Sequence, residues 1–208
     1  MVMQRDITQR RRQPVQKRSR ETFERICAAA SEILIESGLE ALNTNAVADR
    51  ADISITAVYA YFPDKFAILH ELFLRSEARW RAAIDPALRE TESVDDYILL
   101  FREATRRSAQ ARTDDAEYRA LRSAVWAVPE LAALQEQVRA ESARRLADGM
   151  RRRSPRLNAR RAQRAAKALV MSADAAIDDA TRNGSLDRAQ LDEVMLMHEL
   201  YLRELLEG

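Results

Sequence analysis

The stretch ETFERICAAASEILIESGLEALNTNAVADRADISITAVYAYFPDKFAILHELF, residues 21–73, decides how this chain is read. Phe23, Ile26, Ala30, Ile33 and Leu34 recur at three- and four-residue spacing, the stripe of an amphipathic helix. That helix opens near Arg20 and stops at Gly38, a residue free to take the positive φ of a C-cap. Two very short helical segments follow. Asn43 or Thr44 caps the first, which turns Val47, Ala48 and Ala51 inward. Ser54 caps the second, over residues 54–61, which turns Val58 inward and ends before Pro63. Two short helices joined by the turn Ala51-Asp52-Ile53, behind a longer supporting helix, form the helix-turn-helix pattern. Ala48 is small where the second helix crosses closest, and Val47, Ile53 and Val58 fill the wedge. Position 52 of such a turn needs positive φ. Asp adopts that region more readily than most residues, so the turn is expected to form at some cost.

Outward from this core the chain reads as all-α. Of its 208 residues 47% are hydrophobic and 32% charged, but only four are Gly and five Pro, too few for the primed turns of hairpins. Residues 1–18 carry Pro14 and no periodicity and are expected to be a disordered arm. Eight basic groups against three acidic ones fall in residues 1–25, which leaves a net charge of −4 on the remainder. A basic arm on a slightly acidic body suits contact with a polyanion at one end. Beyond the helix-turn-helix, helices are expected from Lys65 to about Ile84, then over residues 94–110, 114–125, 129–153, 158–182 and 187–207. Asp85-Pro86 and Asn183-Gly184-Ser185 serve as stops. The organisation expected is a basic arm (1–18), a DNA-binding domain (19–66) and a larger helical domain (67–208).

The pattern IS-x-x-AVY-x-YF-x-x-K-x-x-IL, residues 53–69, with AVADRA upstream, closely resembles the DNA-binding domain of the TetR family of transcription regulators. The resemblance covers about residues 20–74 and departs from the family at Asp52 and Thr56, where Gly is frequent. It implies an N-terminal helix-turn-helix domain followed by a C-terminal helical domain for ligand binding and dimerisation. It also implies roles. Asn43 and Thr44 would hold a phosphate and Asn45 would reach a base edge. Ile55, Thr56, Ala57 and Ala60, behind the cap Ser54, would lie in the major groove. Tyr59 and Tyr61 would flank them with hydroxyls toward phosphate, and Lys65 would pin another phosphate. Arg18 and Arg20 of the arm would reach backbone or minor groove. The residues themselves agree in part: Thr and Ala methyls suit the thymine methyl, Asn45 suits adenine, and the second helix has no Arg for guanine.

The last helix is apolar over more than half its circumference. Leu191, Val194, His198, Tyr201 and Leu205 form a heptad-like seam that implies a partner. Ala165, Leu169, Ser172 and Ala176 offer small residues for close packing on the preceding helix. In the family these two helices form a four-helix dimer interface, so a homodimer on a palindromic operator of double-stranded DNA is expected. A small-molecule effector would act by changing the separation of the DNA-reading domains. Tyr97, Phe101, Tyr118, Leu121, Trp126, Met150, Met171 and Asp174 are the candidates for its pocket, and Asp174, in an apolar run, wants a cationic partner.

Other classes find little support. His70 and His198 have no metal-ligand spacing, and neither a Gly-rich phosphate loop nor a nucleophile motif is present, so no catalytic residue, metal or cofactor is expected. Cys27 alone gives no disulfide framework, and without an apolar span a cytoplasmic protein is expected. An all-α carrier of a small apolar molecule is the alternative. An RNA binder using Arg151, Arg152, Arg153, Arg156, Arg160 and Arg161 is another. Neither needs the capped helix pair at 43–61.

Overall fold

The computed structural model describes residues 17–208 apart from 92 and 183, and their side chains apart from those of 17, 80 and 83–90. Most of the expected basic arm lies outside the described residues. The helices are α1 (Lys17–Ala41), α2 (Thr44–Arg50), α3 (Ile55–Tyr59), α4 (Lys65–Glu90), α5 (Val94–Asp114), α6 (Ala116–Ala127), α7 (Pro129–Arg153), α8 (Ala159–Ala180) and α9 (Arg188–Glu207). Among the described residues there is no strand. The architecture is all-α.

Local chemistry explains most boundaries. Asn43, Ser54, Ser93, Asn158 and Asp187 each accept a backbone N–H at the start of a helix. Pro129 opens α7, where its missing N–H costs nothing. Gly38 stands at φ 76°, ψ −176°, a region open in practice to glycine alone, with helix on both sides. The expected stop at Asp85-Pro86 is corrected, because α4 runs on to Glu90. A proline removes one backbone donor, and here that does not end the helix.

The described chain divides into two compact units. One holds the chain to Ala78 with Ala116–Ala132; the other holds Arg79–Asp115 with Ala133–Gly208. In the first unit α1 packs against α2 and α6, and α2 against α3. Its core includes Phe23, Ile26, Leu34, Leu42, Val47, Val58, Phe62, Ile68 and Leu69, all nearly inaccessible to solvent. Phe23 stacks on Phe62 at 5.2 Å between ring centroids. The Arg75 guanidinium lies 5.0 Å from the Phe23 ring centroid and donates to both carboxylate oxygens of Glu24 at 2.6 and 2.7 Å. These bonds hold the Glu24 carboxyl below the usual carboxylate range.

In the second unit α5, α8 and α9 pack on one another. Tyr97 donates from its hydroxyl to the Leu146 carbonyl at 2.6 Å, under the Arg153 guanidinium at 4.1 Å. Burial pushes the Tyr97 phenol up, so it stays protonated. Gly149 is required there, since a Cβ would come within 2.5 Å of the Tyr97 hydroxyl.

The apolar seam of the last helix is turned inward, which corrects its assignment to a partner. Leu191, His198 and Leu205 are buried in their own subunit, as are Ala165 and Leu169 of α8. Val194 and Ala176 are half-buried, and of the expected seam Tyr201 and Ser172 remain exposed. The outward face of α9 is a second apolar stripe: Leu196, Met197, Leu200 and Tyr201, at 50, 67, 60 and 42% exposure, with Met171 of α8 at 48%. Periodicity placed two apolar faces on α9 and did not say which one covers the core.

Candidate nucleic-acid interface

The helix-turn-helix is built by short-range bonds that leave one face open. The Asn43 side chain accepts from the Ala46 N–H at 2.9 Å and donates to the Ala41 carbonyl at 3.2 Å, so it is spent on the start of α2. The turn places Asp52 at φ 50°, the left-handed conformation its position demands. Arg25, on α1, donates to the carbonyls of Ala51 and Asp52, the latter at 2.9 Å, and braces that turn from behind. Sequence periodicity gives no sign of this brace. Ser54 accepts from the Ala57 N–H at 3.2 Å, and as a hydroxyl it keeps a proton to donate outward.

On α3 a single side chain, Val58, is fully buried. Around it Ile55 and Ala57 are half-buried, and Thr56, Tyr59 and Ala60 are exposed, as is Asn45 on α2. Thr44 Oγ1 and Tyr59 Oη share a hydrogen bond of 3.2 Å, which ties α2 to α3 at the rim of this face. Lys65, half-buried, opens α4 with its ammonium 5.7 Å from the Phe66 ring centroid. Asp64 caps that helix by accepting from the Ala67 N–H at 2.9 Å. Arg18 and Arg20 are exposed at the start of α1.

Tyr61 departs from expectation. It is 8% exposed, and its hydroxyl donates to the Ser19 carbonyl at 3.2 Å and shares a 2.9 Å bond with the Ser19 hydroxyl. A tyrosine placed edge-on to Phe23 at 5.8 Å is part of the scaffold, so its hydroxyl is not turned toward phosphate.

The candidate pocket residues are divided between the two units. Trp126 and Met171 are 76 and 48% exposed. Tyr118 and Leu121 are buried in the first unit. Tyr97 and Met150 are packed in the core of the second, with Phe101 against it. Asp174 finds its cations within its own chain: Arg112 of α5 and Arg139 of α7 both bind it, the Arg139 Nε at 2.8 Å, while Arg112 also binds Asp178. Of the arginine cluster Arg153 is held by Thr91, Gly149 and Tyr97, and the other members are solvated or only partly covered. Among the described residues no group of His, Cys, Asp and Glu could hold a metal ion, and no helix is long and apolar enough to cross a membrane.

Known proteins share this arrangement. The family of bacterial regulatory proteins, tetR family, matches residues 26–72, and the tetracyclin repressor-like C-terminal domain matches residues 99–202. The HTH-type transcriptional repressor KstR of Mycobacterium tuberculosis (strain ATCC 25618 / H37Rv) is 39% identical over 66 residues, which are 32% of this chain and 30% of that protein. A TetR transcription regulator from Haloarcula marismortui ATCC 43049 has the same fold, with a TM-score of 0.68 at 18% identity over 90% of this chain and 99% of that one. The SmeT–triclosan complex has it too, with a TM-score of 0.64 at 18% identity over 85% and 91% of the two chains. The second match alone takes in half of the sequence, and together with the capped helix pair in front of it this places the chain in the tetR family of bacterial regulatory proteins.

Proposed function

We propose that the protein is a sequence-specific repressor that binds a palindromic operator as a homodimer and leaves it when a small-molecule effector binds the helical domain. The observation that carries this reading is the outward face of α3. Ser54 caps it and Val58 anchors it, while Thr56, Tyr59 and Ala60 stand in solvent with no partner in the core. A helix five residues long stabilises little by itself. Its exposed face has small side chains that let a backbone approach a groove closely. KstR, similar over 66 residues of the chain, is a transcriptional repressor, and SmeT, similar in fold, holds triclosan.

Dimerisation is supported by the outward stripe of Leu196, Met197, Leu200 and Tyr201 on α9, since exposed apolar surface of this kind marks an interface. In a two-fold dimer the two copies of α3 would stand ~34–36 Å apart, one helical turn of duplex. Lys65, Thr44 and the N–H groups at the start of α2 would take phosphates, with Arg18 and Arg20 reaching further along the backbone.

Selection from a random duplex pool tests the reading. The expected outcome is an enriched palindrome whose affinity falls steeply with salt. Failure of any sequence to enrich, with binding indifferent to sequence, would overturn it in favour of the carrier.

A further inference from the structure

The cations and carboxamides around α2 and α3 define which bases this surface can read. Guanine is recognised in the major groove chiefly by the forked donors of Arg, or by Lys, on O6 and N7. Between residues 21 and 65 the chain has three such side chains, Arg25, Arg50 and Lys65. Arg25 is committed to the carbonyls of Ala51 and Asp52. Arg50 is turned to α1, 3.3 Å from Glu32 and 2.9 Å from Glu36. Lys65 opens α4 beyond the end of α3, beside the Phe66 ring. The outward face of α3 therefore offers methyl groups from Thr56 and Ala60, one turn apart and both exposed, with Ile55 and Ala57 half-buried next to them. Of the two carboxamides nearby, Asn43 is spent at both ends on Ala46 and Ala41, which leaves Asn45 exposed.

We propose that the operator half-site is read through thymine methyl groups packed on Thr56 and Ala60 and through an adenine facing Asn45, so that its core is built of A·T pairs. The proposal rests on α3 lying in the major groove. Its chemistry follows from the groove: thymine alone presents a C5 methyl there, and adenine alone pairs N6 and N7 with the two ends of a carboxamide. The Thr44–Tyr59 bond ties the Tyr59 hydroxyl to α2.

The test replaces thymine by deoxyuridine, one position at a time, in the duplex enriched by selection, and follows affinity by fluorescence anisotropy at fixed salt. Deoxyuridine removes the methyl and nothing else. The expected result is a loss of about fourfold per methyl at the two reading positions of each half-site, the scale of one buried methylene, and no loss at flanking thymines. Thr56→Ser, an exposed change that keeps the hydroxyl, removes the contact in both half-sites of the dimer, so it is expected to cost about sixteenfold and to make the deoxyuridine change at its own position silent. A G·C core weakened by 7-deazaguanine and blind to deoxyuridine would overturn the proposal and leave the DNA-reading function intact. An A·T core with no response to deoxyuridine would overturn it in favour of readout by duplex shape. If no sequence enriches, the DNA-reading function fails and the proposal falls with it.

Discussion

Helix α3 and helix α9 both present apolar residues to solvent, but they arrive there by different routes. In α3 two caps and one buried residue fix the rotation of a five-residue helix, so the outward face is a by-product of Ser54 and Val58. In α9 twenty residues carry apolar side chains on two faces, one inward at Leu191, Met195, His198 and Leu202, the other outward at Leu196, Met197 and Leu200. The lesson is that a short capped helix can be oriented from its own sequence, whereas a long helix with two apolar faces is oriented by what it packs on. A binding face made of small residues on the first and of large residues on the second also fits two different partners, a polar groove and another apolar surface.

The comparison can be broken by substitution. On α9, Leu202→Ala removes a fully buried side chain and is expected to cost about 2–5 kcal/mol in chemical denaturation. Leu200→Ala, on the outward face, is expected to change the stability of a separated subunit by under ~0.5 kcal/mol. The reverse order would show that the faces are exchanged. For the first unit, Gly38→Ala tests the kink within α1. The space around a new Cβ is open, so the expected loss of about 1–3 kcal/mol is all backbone strain, and an unchanged melting temperature would contradict the positive φ.

A smaller effect separates the two regions by pH. His198 Nε2 meets the Ser172 hydroxyl at 2.7 Å, and that hydroxyl donates to the Ala168 carbonyl at 2.8 Å. Ring atom Nδ1 is buried with no hydrogen-bond partner among the described residues. Burial lowers the imidazole pKa below its ordinary 6.5, because a proton on Nδ1 would be charged and unpaired. A folded pKa below the unfolded one means this contribution to stability is full above pH 6.5 and is lost as pH falls through the folded value. His198→Gln is expected to flatten the stability profile of the protein just below pH 6.5, as followed by thermal unfolding. An unchanged profile would remove His198 from the account.

Much of the fold was legible because the helices announce themselves. The start of α7 at Pro129 and the caps Asn43, Ser54 and Asn158 are written in residue types whose side chains can do only a few things at a helix start. The outward face of α3 was legible for the same reason. The exceptions have physical causes. The family resemblance implied a Tyr61 hydroxyl turned toward phosphate, but α1 supplies Ser19 at the right height to take it, a contact across 42 residues. Asp174 asked for a cation, and nothing in the sequence distinguishes Arg112 and Arg139 from the many other arginines. Trp126, one residue before the end of α6, reads as an aromatic core residue and stands in solvent.

The most direct test of the central claim is the affinity of Ala60→Glu for the duplex enriched by the unmodified protein, measured at fixed salt. Ala60 is exposed at the end of α3, so melting temperature and subunit association are expected to stay as they are. A carboxylate in the groove sets a like charge among phosphates and fills the space left by a methyl, and affinity is expected to fall by about a hundredfold or more, as for the loss of a good base contact. Unchanged affinity in a folded, associated variant would contradict the claim that the outward face of α3 reads DNA.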